Sequence, residues 1–295
     1  MKNFWLLIKN TVISWIDDYA QSMGAALSFY TLFSIAPLLL IVVSIIGLIL
    51  GKDAAQGEIV GQLQGLMGKE SATAIQALLQ NVNKPTEGML STIVGFVLLL
   101  FGATSVFGEL QNALDRIWRA PERTQTSGIW NLIHTRLLSF GMILGVGFIS
   151  MVSLLVSAGL SAVTKWWAPI FEQSDDKWLF LISGLNTLFS FLITTAMFAL
   201  IYKLMPRVKI DWKDVLIGSI ITSVLFTVGK SLIGIYIGTS AIASGYGAAG
   251  SLVVLLIWVY YSAQVFLMGA EFTWVYANIY GSQKINKLYS DEPPI

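Results

Sequence analysis

Residues 250–277 read GSLVVLLIWVYYSAQVFLMGAEFTWVYA, a run of the chain in which Glu271 is the single charged residue. Crossing a bilayer core about 30 Å thick takes roughly 20 mostly apolar residues, and this run is long enough. Gln264 and Glu271 fall on one face of a helix, with Tyr260 or Tyr261 about one turn before Gln264. The stretch therefore predicts a membrane-spanning helix with one polar face.

The rest of the chain has the same character. Of its 295 residues, 55% are hydrophobic and 12% are charged, which is about half the charge of an average soluble protein. Five further stretches are apolar and long enough to span: about 20–50, 89–110, 137–163, 179–205 and 214–238. We therefore predict an all-α integral membrane protein, a bundle of six transmembrane helices over residues 19–280.

Several functional classes are excluded by composition. The chain has no Cys and one His, so it lacks the residues of thiolate or multi-histidine metal sites and of cysteine nucleophiles. Its net charge of +1 gives no electrostatic basis for binding nucleic acid. It also contains no HExxH, GxSxG or P-loop motif. We expect no cofactor, no metal site, no nucleic-acid partner and no enzymatic activity.

Positive charges predict the orientation. If the amino terminus lies inside, twelve Lys and Arg residues fall on the cytoplasmic side and five fall outside. Both termini, including the tail 281–295, are then cytoplasmic. Residues 1–18 show apolar residues at helical spacing and predict an amphipathic helix, which either lies in the inner interface or packs against the bundle. The outer loop 51–88 carries two helical stripes and predicts a cap or a gate.

Three segments resemble one known family. ALSFYTLFSIAPLLL (26–40), ELQNALDRIWRAPER (109–123) and SGYGAAGSLVVLLIWVYYSAQVFLMGAEFT (244–273) are similar, in this order, to the BrkB/YihY family of bacterial inner-membrane proteins. The resemblance extends over the chain to about residue 280. It implies a six-span helical protein of a family without an agreed biochemical activity, whose members have been linked to serum resistance, a virulence trait, and to transport of lipids or solutes.

That family long carried a ribonuclease BN label, and the residues of this chain argue against it. Metal-dependent cleavage of RNA needs several His and Asp ligands in a basic, water-filled site. His134 is the only histidine, and the cytoplasmic loops are too short to hold an RNA. We predict that the chain is not a ribonuclease.

Polar residues recur on one face of three predicted spans, close to their cytoplasmic ends. Glu271 and Gln264 mark the last span, Glu109 marks the second, and the first contributes Gln21, Ser28 and Thr31. Such residues either join helices by hydrogen bonds or line a polar cavity, and three faces at one depth leave both interpretations open. We expect Glu109 and Glu271 to approach the mouth of one cavity, with Arg116 and Arg119 as the candidate counter-charges.

Three further residues are candidates for the same path. Pro37 removes a backbone hydrogen bond inside the first span and predicts a kink, which is either a hinge or a static bend. Lys230 lies inside the fifth span, where it either snorkels to the outer headgroups or contacts a buried partner or an anionic lipid. Tyr246 belongs to the glycine-rich loop 239–250, which is a plain turn or re-enters the membrane.

Two functions follow as hypotheses. The first is an inner-membrane transporter that moves a lipid or a small solute through a cytoplasm-facing polar cavity, with membrane lipids as its partners. The alternative is a structural or assembly factor of the cell envelope that transports nothing. A continuous cavity favours the first, and fully packed polar pairs favour the second.

Overall fold

The computed structural model describes four long parts of the chain, 2–51, 105–121, 177–239 and 249–284. It also describes short pieces at 56–57, 59–61, 63–64, 72–73, 75–76 and 245–246. Of the predicted spans, 137–163 lies outside the described residues, and 89–110 is described only from residue 105. The predicted outer loop 51–88 is described at residue 51 and in the short pieces between 56 and 76, which are helical, and the predicted tail 281–295 is described only to residue 284.

The described residues form helices and no strands, in agreement with the predicted all-α class. In chain order these are α1 (Lys2–Asp17), α2 (Ala20–Leu50), α3 (105–117), α4 (Lys177–Leu204), α5 (Trp212–Thr239) and α6 (Gly250–Ile279). Within this part of the chain, three segments are long and apolar enough to cross a membrane: Thr187–Leu204, Trp212–Ile237 and Leu252–Ile279. The count of six spans stays a prediction. Helix α3 continues seven residues past the predicted end of the second span, because residues 111–117 pack against the bundle.

Helix α6 is the centre of the bundle, since α1, α2 and α5 all pack against it and α4 packs against α5. The contact between α5 and α6 is the most extensive, and small residues make it close. Gly218 of α5 faces Thr273 of α6, and Gly269 of α6 faces Thr222 of α5. A Cβ atom built on either glycine would lie within about 2 Å of the opposing threonine hydroxyl, at 1.8 Å for Gly218 and 2.0 Å for Gly269.

A buried polar contact joins α4 to this seam. The hydroxyl of Tyr202, which is fully buried, donates a hydrogen bond of 2.7 Å to the carbonyl oxygen of Phe266 and lies 3.1 Å from the hydroxyl oxygen of Thr222. Thr222 in turn donates to the carbonyl oxygen of Gly218 at 2.7 Å. Each hydroxyl has a partner, so this contact stabilises the packing of three helices without leaving a polar group unsatisfied.

One end of the bundle collects the charged residues. Helices α2 and α5 begin at this end of the bundle, and α3, α4 and α6 end there. Oδ1 of Asp115 accepts a hydrogen bond of 2.8 Å from the backbone N–H of Arg207. Oδ2 of Asp115 lies 3.2 Å from Nε of the same arginine and forms an ion pair with it. The buried Asp214 accepts from the backbone N–H and the hydroxyl of Ser282 at 3.1 and 2.7 Å. These contacts tie α3 to the α4–α5 loop, and α5 to the segment after α6.

Helix α1 packs on α6 and also has an exposed apolar face. Leu7 and Thr11 are buried, and Leu7 contacts Phe272 and Val275 of α6. Trp5, on another face, is 68% exposed, as are several neighbouring apolar residues to a lesser degree. Of the two predictions for this helix, packing against the bundle therefore holds for one face of α1. The exposed face fits an interfacial helix, whose position relative to a membrane stays a prediction.

Candidate functional site

The bend between α1 and α2 positions an acidic residue inside the protein. Tyr19 adopts the left-handed conformation at φ 56°, which ends the helical path of α1 and redirects the chain into α2. Asp18, immediately before it, is only 4% exposed, and its backbone N–H donates to the carbonyl oxygen of Ser14 at 2.9 Å. The aspartate side chain is thus held on the inside of the bend.

The end of α3 brings a cation to this carboxylate. The helix stops at residue 117, and Arg119 also adopts a left-handed conformation, at φ 52°. Its guanidinium group forms an ion pair with Asp18 and lies 5.2 Å from the ring centroid of Trp274 on α6. Arg116, the other predicted counter-charge, instead lies over the ring of Tyr19 at 5.6 Å.

Glu271 completes the site from α6. It is fully buried, and its carboxyl group lies within hydrogen-bonding reach of the Asp18 carboxylate and close enough to Arg119 for electrostatic interaction. Trp274 is three residues further along α6, so both side chains lie on the face that meets the bend. We call Asp18, Arg119, Glu271 and Trp274 the carboxyl cluster; it joins the α1–α2 bend, the end of α3 and α6.

Hydrogen-bonding groups without partners concentrate at this cluster. Among the described residues, eight buried side-chain nitrogen or oxygen atoms have no hydrogen-bond partner. Three of them are Oδ2 of Asp18 and both carboxylate oxygens of Glu271. Two more are the indole nitrogens of Trp15, one turn before Asp18, and of Trp118, next to Arg119. Five of the eight atoms therefore belong to the cluster or adjoin it in the chain, and such a concentration of unsatisfied groups needs a physical explanation.

Gln264 lies deeper along α6 and joins it to α2. Its side-chain amide donates to the backbone carbonyl oxygens of Ala20 at 3.3 Å and Gln21 at 3.4 Å. A Cβ atom on Gly24 would lie 2.0 Å from the Gln264 nitrogen, so a larger residue there would displace the end of the Gln264 side chain. Of the predicted path residues, Gln21 and Gln264 are brought together here, through the backbone of Gln21 while its side chain is exposed.

The other predicted residues on α2 and α3 are placed differently. Ser28 is buried and donates to the carbonyl oxygen of Ala25 in its own helix at 2.8 Å, whereas Thr31 is half-buried. Glu109 is half-buried on α3. The acid that the structure brings to Glu271 is Asp18, and the approach of Glu109 to the same cavity mouth stays a prediction.

Pro37, Lys230 and Tyr246 lie away from the carboxyl cluster in sequence and in place. Helix α2 continues through Pro37 from Ala20 to Leu50. Lys230 is half-buried on α5, and no acidic side chain within the described ranges forms an ion pair with it. Tyr246 is 62% exposed, and most of its loop lies outside the described residues, so re-entry of that loop stays a prediction.

A cavity of about 390 Å³ lies among the described pieces of the outer loop. It is lined by polar and small residues of two helical stretches: Gln56, Gly57, Val60, Gly61, Gln64 and Gln76. In the part of the chain that can be described, no group of three or more His, Asp or Glu residues could hold a metal ion.

The long apolar helices, with an ionisable cluster at one end of their bundle, define an α-helical integral membrane protein. Comparison with known families places it more narrowly. The family described as Virulence factor BrkB matches residues 14–290, so the chain belongs to the BrkB family, as its sequence motifs had indicated.

Its curated relatives are membrane proteins named only by family. A UPF0761 membrane protein of Pseudomonas aeruginosa is 26% identical over 262 residues, which cover 86% of this chain and 59% of the relative. One from Psychromonas ingrahamii is 25% identical over 266 residues, covering 87% and 82%. The chain thus spans about three fifths of the length of the first of these relatives. No solved structure matches this chain.

Proposed function

We propose that this protein is a transporter of the bacterial inner membrane, which moves a lipid or a small solute past the carboxyl cluster. The observation that carries the proposal is the concentration of unsatisfied buried groups at this cluster. An ionisable residue inside a membrane-spanning segment is costly, which makes it a candidate functional residue, and Glu271 falls within the apolar segment Leu252–Ile279.

The position of the carboxyl cluster favours a role in a conformational change of the α1–α2 bend and α3 relative to α6. It lies where three separate pieces of chain meet, and two of its members are set by left-handed residues at helix ends. A change in what Glu271 contacts would alter the packing of the α1–α2 bend and of α3 against α6.

The alternative is a structural or assembly factor of the cell envelope. The contacts of Gln264, Tyr202 and Asp214 favour it, because each joins two helices or segments by hydrogen bonds. Such contacts need no transported molecule. The two candidate functions differ in whether the carboxyl cluster has a role besides stability.

A transport assay separates them. In proteoliposomes with a fluorescently labelled phosphatidylethanolamine in both leaflets, the wild-type protein should expose the inner label to a membrane-impermeant quencher faster than empty liposomes do. A second arm measures retention of labelled small solutes trapped inside the vesicles. We expect Glu271→Gln to reduce the rate at least about tenfold, the loss caused by about 1.4 kcal/mol. Asn112→Ala, at an exposed position on α3, is the matched control and should leave the rate unchanged. If lipid exposure and solute retention both equal those of empty liposomes, transport is refuted.

The proposed orientation has its own test. With both termini cytoplasmic, a phosphatase fusion after Ile295 should be inactive, and one inserted near Ala74 in the outer loop should be active. A fluorescent protein that folds only in the cytoplasm should give the opposite pattern at the same two positions. Phosphatase activity at Ile295 would show that the twelve-to-five charge count had been assigned to the wrong sides.

We infer further that the protein is not a nuclease or other enzyme. The described residues offer no cluster of metal ligands, and the chain holds one histidine. The family name and the names of the relatives carry no reaction either.

A further inference from the structure

The carboxyl cluster has one negative charge more than it has positive charges. Asp18 and Glu271 are two interacting carboxyl groups, and among the described residues Arg119 is the one cation in an ion pair with Asp18. The guanidinium group donates to Oδ1 of Asp18 and to the backbone oxygen of Arg116, at 3.3 Å, so neither bond reaches Glu271. Both Glu271 oxygens and Oδ2 of Asp18 are left without a donor.

Two buried carboxylates in contact need something between them. Like charges repel strongly in a low dielectric, and each buried acceptor without a donor costs free energy. A single proton addresses both problems, because it removes the excess charge and converts one acceptor oxygen into an O–H donor. A metal ion fits less well, since the described residues offer two acids here and metals of the kind that prefer oxygen take about six ligands.

We propose that Glu271 carries a proton in the folded protein and donates it to Oδ2 of Asp18, which has no other donor among the described residues. The O–H of Glu271 and Oδ2 of Asp18 then satisfy each other, while Oδ1 of Asp18 keeps its ion pair with Arg119. The shared proton joins the α1–α2 bend directly to α6, and its loss leaves repulsion between these two elements.

Other charged groups around Glu271 are few among the described residues. Arg119 comes from the end of α3, and Arg116 is turned towards Tyr19. Helix α5 contacts α6 through Gly218 and Thr222, on the face opposite Glu271, because positions 269 and 273 are each about half a turn away from 271. Within the described ranges, the balance of charge at the site therefore rests on Asp18, Arg119 and Glu271.

The proposal concerns the same site as the proposed function but does not require transport. Its test uses the purified full-length protein in lipid nanodiscs, with no substrate present. Infrared spectroscopy at neutral pH should show the C=O band of a protonated carboxyl group in the wild type, and Glu271→Gln should abolish that band. Glu109→Gln, which removes the half-buried carboxyl group of α3, is the matched control and should leave the band in place.

Stability provides the second measurement. An exposed glutamate is ionised at neutral pH, so the folded protein holds one proton that the unfolded chain releases. The unfolding equilibrium constant should then rise by up to about tenfold per pH unit as the pH increases above neutral, and Glu271→Gln should remove this dependence. Asp18→Asn, which also supplies an amide in place of the shared proton, should flatten it similarly.

Several results would overturn the proposal. One is a wild-type spectrum without a protonated carboxyl band, or a band that persists in Glu271→Gln. Another is stabilisation of the wild type by added Na⁺ with no such band, which would assign the site to a metal cation. Failure of both Glu271→Gln and Asp18→Asn to fold would also count against it, since either amide should replace the proton. A failed transport assay leaves these outcomes unaffected.

Discussion

Gly218→Leu should abolish folding of the protein, because α5 and α6 meet most closely at this position. The first side-chain atom of any larger residue at 218 would lie 1.8 Å from the hydroxyl oxygen and 2.7 Å from Cβ of Thr273. Thr273 cannot easily turn away, since it is fully buried and its hydroxyl donates to the carbonyl oxygen of Gly269 at 2.7 Å. Even Gly218→Ala should cost about 1–3 kcal/mol, the usual range for overpacking. The yield of monodisperse protein after detergent extraction and the Tm are the measurements.

Gly234→Ala on the same helix is the matched control. A Cβ atom at residue 234 meets nothing within 4 Å among the described residues, and alanine favours a helix over glycine by up to about 1 kcal/mol. This variant should retain or raise the Tm. A second check combines Gly218→Ala with Thr273→Gly, which removes every atom of Thr273 that the new Cβ would meet. Thr273→Ala would not be sufficient, because the Cβ atom of residue 273 would remain in the clash. Equal stability of the wild type and Gly218→Leu would contradict the packing of α5 against α6.

Hydropathy was sufficient to predict the fold class, because lipid imposes one simple requirement on length and composition. The predicted span 250–277 contains the segment Leu252–Ile279 almost entirely, and this segment is long and apolar enough to cross a membrane. The same is true of Thr187–Leu204 and Trp212–Ile237, which lie in the predicted spans 179–205 and 214–238 to within two residues. The end of α3 was less predictable. Residues 111–117 are not apolar enough to read as a span, and they are helical because Leu114 and Ile117 pack into the core of the bundle.

The candidate site was only partly accessible to sequence analysis. Helical spacing placed Gln264 and Glu271 on one face of α6, because that inference needs only one helix. It could not choose Asp18 as the acid beside Glu271, since that choice depends on a left-handed Tyr19 and on how two helices pack. A signal was present: Asp17 and Asp18 stand directly before the first predicted span, where an acidic pair has no obvious helical partner.

Arg119→Ala should destabilise the protein by about 1–3 kcal/mol, the range for leaving a buried acceptor without its donor. The larger range for a fully buried ion pair does not apply, because the arginine side chain is 49% exposed, whereas that of Asp18 is 6% exposed. Removing the guanidinium group leaves the Asp18 carboxylate without a cation, and it also removes the contact with the Trp274 ring at 5.2 Å. Thermal unfolding of the purified protein in detergent measures the loss as a lower Tm.

The size of this loss should depend on the charge of Asp18 rather than on the arginine contacts alone. In the double variant Asp18→Asn with Arg119→Ala, the buried charge is gone, so we expect at least half of the lost stability to return. Arg116→Ala is the matched control, because Arg116 is exposed and its contact with the Tyr19 ring is worth about 0.5–1 kcal/mol. Equal losses from Arg116→Ala and Arg119→Ala, or a double variant less stable than Arg119→Ala, would show that the ion pair does not hold α3 to the α1–α2 bend. Recovery in the double variant would instead identify charge compensation at Asp18 as the contribution that Arg119 makes to stability.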